Sequence, residues 1–176
     1  MVGAETAAAF VARRLREMAP AFITDFLGVD VALVPVPRSS LRRVDALWPP
    51  LEIANELRAQ GFGSRVIECL DRRHAVTKAA TAASNERPKA KQQFESLALK
   101  NPLDLPAQVV LIDDVITRGA QLLGAAWCIW SQRPDVTVRG FAVVRTISNP
   151  ADFSTIADPC VGHVRLGRDE ECFRLP

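Results

Sequence analysis

The sequence has no uninterrupted apolar run of the roughly 18 residues that a membrane span requires. It has no Cys-x-x-Cys spacing, and only two histidines, His74 and His163, stand beside four cysteines. The first absence excludes a transmembrane helix as a reading of the chain. The others argue against a structural zinc site, because a tetrahedral metal needs ligands clustered at short spacing. Cys69, Cys128, Cys160 and Cys172 are therefore expected to be reduced thiols, three of them in apolar or aromatic surroundings. An excess of one charge sign is also lacking: 22 basic against 20 acidic side chains leave a net charge of +2. Bulk attraction to nucleic acid or to a membrane finds no support in that balance, and any charge-driven function must be local. Glu5 stands where a signal peptide would carry positive charge, so a cytoplasmic protein is expected.

What is present suits one globular domain over residues 1–176: 48% of the residues are apolar and 24% charged, and the charges are spread along most of the chain. Residues 4–27 carry Phe10, Val11, Leu15, Met18, Phe22 and Phe26 at mostly helical spacing, with Pro20 placed to break or kink the run, which predicts one amphipathic helix or two. "VDVALVPVP" (29–37) is β-branched and short and reads as a buried strand entering a loop. "PPLEIANELRAQGFG" starts on proline and stops at Gly61, which predicts a helix. "RVIECL" (65–70) reads as a second strand and Val109 to Ile112 as a third. A helix is expected over roughly 119–132, with Trp127 and Trp130 in the core, and a fourth strand over 136–144. Strands alternating with helices predict an α/β fold with a parallel sheet flanked by helices. Residues 71–93 lack a clear period and are too long for an ordinary connection, so a mobile functional loop is expected there. Residues 146–176 are rich in turn formers and predict a small C-terminal cap or hood.

The sharpest feature is "VVLIDDVITRGAQLL" (109–123). Neighbouring carboxylates such as Asp113 and Asp114 repel, and if both are shielded from water one of them tends to hold a proton. The pair therefore calls for donors or a cation, and a ribose diol donates to two carboxyls at once. Thr117, Arg118, Gly119, Ala120 and Gln121 then turn the strand into a helix whose first backbone N–H groups have no intrahelical partner and favour an anion. A sugar carrying a phosphate a few bonds from its diol satisfies both halves.

"VVLIDDVITRGAQL" resembles the phosphoribosyl-pyrophosphate signature of type I phosphoribosyltransferases: four apolar residues, two acids, two apolar residues, then a Thr/Gly phosphate loop. "VPVPRSSLRR", "RRHAVTK" and "NERPKAKQQFESL" occur around it in an order similar to the competence-protein-F-like branch, over roughly residues 30–146. The resemblance implies transfer of the 5-phosphoribosyl group of phosphoribosyl pyrophosphate to a nitrogenous base or amine, with Mg2+ bound through the substrate and not by a protein metal site. It implies that Asp113 and Asp114 hold the ribose hydroxyls, that Thr117 through Gln121 wrap the 5′-phosphate, and that the loop after the first strand, with Arg38 and Ser39, meets the pyrophosphate. The cations Arg73 and Lys78, with Arg72, Arg87, Lys89 and Lys91, would stabilise the leaving group from the long loop. A homodimer and a place in nucleotide metabolism follow from the family's habits. The chain departs from the pattern at Arg118 and Gln121, where small hydroxyl residues are common, and it lacks the zinc-ribbon cysteines often found at the start of that branch. The acceptor is not inherited. The alternative is a regulatory protein that senses phosphoribosyl pyrophosphate or a nucleotide without turnover. No base-reading motif supports a nucleic-acid partner.

Overall fold

The computed structural model describes residues 5–18, 21–41, 45–77, 88–147, 159–167 and 170–175. Two helices open the chain, α1 (Ala7–Met18) and α2 (Ala21–Phe26); Pro20, where a break or kink is expected, lies outside the described residues. Strand β1 (Ala32–Pro35) follows, every residue of it buried. Helix α3 (Pro49–Ala59) starts on two prolines and buries Ile53, Ala54 and Leu57 on one face. After β2 (Arg65–Val66), β3 (Leu70–Arg72), α4 (Ala90–Glu95) and β4 (Leu97–Leu99) come the two long strands, β5 (Gln108–Ile116) and β6 (Thr137–Arg145), joined by α5 (Ala120–Trp130). The chain closes with β7 (His163–Leu166) and β8 (Cys172–Leu175).

Four strands form a parallel sheet in the order β2-β1-β5-β6. Residues alternate across it. Leu33, Val110 and Ile112 pack with α1, α2 and α3, whereas Ala32, Val34, Val109 and Leu111 pack with α5 and with Leu70 and Leu97 of the β3–β4 pair. Helices thus cover both faces, which is why β1 and the first half of β5 are apolar without alternation. The order also fixes where a ligand fits. From β1 the chain leaves toward β2 through α3, and from β5 it leaves toward β6 through α5. The two connections diverge between β1 and β5, and such a reversal opens a crevice beyond the strands' carboxyl ends.

Three expectations are corrected. "RVIECL" is not one strand: Arg65 and Val66 pair with β1, and the chain then leaves the sheet so that Leu70–Arg72 pairs antiparallel with Leu97–Leu99. An apolar run does not say which of two partners it will pair with, and the deciding partner here lies far along the chain. For the same reason the 71–93 segment is bounded by structure at both ends: Asp71 and Arg72 belong to β3, and Ala90–Gln93 to α4. Its centre, 78–87, lies outside the described residues. Finally, Trp127 and Trp130 are 38% and 37% exposed rather than core. Each is only anchored at an edge, Trp127 tilted against Phe94 with ring centroids 5.7 Å apart and Trp130 donating to the Val136 carbonyl at 2.9 Å. Helix α5 instead faces inward with Leu122, Ala125, Ala126 and Ile129. Its Gly124 lets α4 approach so closely that a Cβ there would lie 2.4 Å from that of Gln93.

Candidate functional site

The acidic pair lies within β5 and not after it. The expected strand ends at Ile112, but β5 continues to Ile116 because β6 pairs with it as far as Ile116↔Arg145. Strand β1 stops earlier, at Pro35↔Ile112, with the Val36 amide donating to the Ile112 carbonyl at 2.9 Å. Asp113 and Asp114 therefore stand on the part of β5 that projects past β1, at the crevice.

The two acids are consecutive on the strand, and the Asp113 carboxyl turns back to the Asp114 backbone. Asp113 is 3% exposed and Asp114 half-buried. Oδ1 of Asp113 accepts from the Asp114 amide at 3.0 Å and from Nε2 of Gln121 at 3.4 Å, and Oδ1 of Asp114 accepts from the Val115 amide at 2.9 Å. Burial, and then the Asp114 charge, push the Asp113 carboxyl up to about 8, while the charge of Arg72 acts the other way. At neutral pH Asp113 is thus mainly protonated, a donor and an acceptor beside an acceptor, which is the arrangement the sequence calls for when a carboxylate pair is shielded.

Thr117 and Arg118 lead into α5, and Gly119 is its N-cap with φ +87°. That left-handed conformation suits glycine, and a Cβ there would also come within 2.5 Å of Val164 Cγ2. The β7–β8 hairpin accordingly packs on the loop. Arg174 Nη1 donates to the Ile116 carbonyl at 3.3 Å, and its Nη2 donates to the Thr146 carbonyl. Arg118 lies 3.9 Å from Glu171, and Lys91 lies 4.0 Å from Glu170. Of the expected phosphate donors, two side chains are engaged elsewhere: Arg118 faces a glutamate and Gln121 faces Asp113. The backbone amides at the start of α5, around Ala120, are the anion donors that the geometry offers. No protein-family model matches the chain, and no curated protein sequence does either.

Across the crevice, the loop after β1 is held by its surroundings. Arg38 is exposed, and its Nη1 donates to the Leu47 carbonyl at 2.6 Å. Ser39 is half-buried, and its carbonyl accepts from the Val76 amide at 2.8 Å. Trp48 lies beneath the loop, buried, with Nε1 donating to the Val36 carbonyl at 2.9 Å. A pocket of about 30 Å³ between Trp48, Leu70 and Arg72 holds no more than a water. Arg73 is exposed, and its amide donates to the Ser96 carbonyl at 2.8 Å. Lys78 and Arg87 lie outside the described residues.

The residue that the sequence undervalued is Arg72. It reads as one of several loop cations, but it is 9% exposed and sits on β3, on the same strand face as Leu70. Period-two alternation from Leu70 is the signal that points inward, and it becomes usable only once residues 70–72 are known to be a strand. Burial pulls its pKa down to about 10. No cluster of three or more metal-ligating side chains occurs among the described residues, and no helix there is long and apolar enough to cross a membrane.

Proposed function

We propose that this chain binds phosphoribosyl pyrophosphate and transfers its phosphoribosyl group to a nitrogenous base or amine, in a fold of the type I phosphoribosyltransferase kind. The observation that carries the reading is the pairing of two consecutive acids, buried Asp113 and half-buried Asp114, with a glycine-started helix five residues later, both at the sheet's switch point. Asp114 accepts from one ribose hydroxyl, and protonated Asp113 completes the second contact as donor or acceptor. The α5 amides take the 5′-phosphate, and the β7–β8 hairpin over Gly119 serves as the C-terminal cap that shields it. The loop after β1 takes the pyrophosphate.

Cleavage of the bond between ribose C1 and pyrophosphate builds positive charge on the sugar and negative charge on the leaving group. Preorganised amides and cations stabilise the second without reorganising at the moment of reaction. Arg73 and Lys78, from the segment after β3, are the candidate cations. Mg2+ fits as a substrate-borne ion: it prefers phosphate oxygens and water, and a carboxyl couple holding one proton is a poor cage for it. When bound it supplies charge neutralisation on the diphosphate. The second reading, ligand sensing without turnover, draws on one observation: Arg38 and Arg118 are turned to protein acceptors, which leaves fewer guanidinium groups for the leaving group.

Incubation with phosphoribosyl pyrophosphate, Mg2+ and a panel of nucleobases and amines, with pyrophosphate release as the readout, separates the two. Release dependent on one acceptor is expected, falling by about one to two powers of ten in Asp114→Asn for a lost charged contact of about 1.5–3 kcal/mol. Binding with no release for any acceptor would favour the sensor.

A further inference from the structure

Burying a guanidinium is costly unless its donors are matched, and Arg72 achieves this without a carboxylate. Nε donates to the Arg38 carbonyl at 2.8 Å and Nη2 to the Pro37 carbonyl at 3.1 Å, while Nη1 donates to Gln93 Oε1 at 2.9 Å and to Ser96 Oγ. One planar group therefore ties two consecutive carbonyls of the β1 loop to helix α4 and its C-cap. The peptide bonds of the described residues are trans, so the N–H of each unit points opposite to its C=O. Drawing the carbonyls of Pro37 and Arg38 toward one guanidinium turns the N–H groups of Arg38 and Ser39 together toward the other side of the loop. Successive amides aimed alike form an anion-binding concavity. The next peptide is fixed as well, through the bond from the Val76 amide to the Ser39 carbonyl.

We propose that Arg72 is a positioning residue that never touches substrate: by holding the carbonyls of Pro37 and Arg38, it preforms an amide cradle at Arg38 and Ser39 for a diphosphate group. The inference rests on the sugar-phosphate reading above and assigns its diphosphate end. It also leaves the Arg38 side chain free to donate to the Leu47 carbonyl, because the cradle uses that residue's backbone. Lysine cannot replace Arg72, since a single ammonium offers no planar fork to hold two carbonyls and two side chains at once.

The test is calorimetric titration of the wild type, Arg72→Lys and Arg72→Gln with two probes, inorganic pyrophosphate plus Mg2+ and ribose 5-phosphate. Pyrophosphate binding is expected to weaken about 10- to 100-fold in both variants, with ribose 5-phosphate within about 2-fold of the wild type. In the wild type, whose folding is not in question, the Arg38 and Ser39 amide resonances should shift on saturation with pyrophosphate and stay in place with ribose 5-phosphate. Equal weakening toward both probes, unchanged affinity for both, or amides that ignore pyrophosphate would each overturn the proposal and leave Arg72 a structural staple. A wild type that binds neither probe would overturn the sugar-phosphate reading itself and this inference with it, whereas a wild type that binds both while the variants match it sinks only the role of Arg72.

Discussion

Asp113 is the residue at which stability and the proposed function conflict. Its folded pKa of about 8 lies above the unfolded value of about 3.9. Between those values the unfolded chain has released the proton and the folded chain retains it, so stability falls as pH rises through about 4 to about 8 and levels off above that. The other charges facing the group are Asp114 on the same strand and Arg72 from β3, and from α5 it meets the neutral Gln121. Asp113→Asn keeps an oxygen for the Asp114 amide and removes the titration. Its melting temperature should therefore lose less than that of the wild type between pH 5 and pH 8, in paired thermal melts. A wild type and variant with parallel pH profiles would show that Asp113 titrates normally and that the carboxyl couple is not shielded. The presence of the acid pair was legible in the sequence, and so was the expectation that one member holds a proton. The identity of that member was not, because burial is decided by the packing of α5 and β3 on the strand.

At the scale of elements, the site depends on where strands stop. β1 ends four residues before β5 does, in register, and those four include both acids. The apolar run predicted the strand core, but it gave an early end because carboxylates read as a terminus; pairing with β6 carries the strand on through them. The loop after β5 depends in turn on the β7–β8 hairpin. Gly119→Ala should cost about 1–2 kcal/mol for its φ of +87° alone, plus a packing penalty from Val164. Adding Val164→Ala should recover the packing part and not the backbone part, a coupling that a double-mutant cycle by chemical denaturation measures directly. Strict additivity of the two substitutions would mean that the hairpin does not press on the loop. A contact of this kind is not readable from sequence, since Gly119 and Val164 are far apart in the chain and neither residue carries a motif for the other.

For the whole molecule, the strand–helix alternation sufficed to predict a parallel sheet covered on both faces, and the order β2-β1-β5-β6 confirms that class. What periodicity did not carry was the second layer, in which β3, α4 and β4 form a small antiparallel unit that places Arg72 against the β1 loop. This unit draws together residues from 37 to 96, and a buried arginine in it looks from the sequence like any other basic residue of a polar segment. The result is a crevice with the acids of β5 on one wall and the start of α5 beyond them, next to a β1 loop whose Pro37 and Arg38 carbonyls are held by Arg72. On the proposed reading, its ligand is a sugar carrying a 5′-phosphate and a diphosphate, not a simple anion or a diol. Calorimetric titration of the intact chain with phosphoribosyl pyrophosphate in excess Mg2+ tests that most directly. Saturable binding that weakens about tenfold or more in Asp114→Asn is expected, and the absence of any heat of association in the wild type would contradict it.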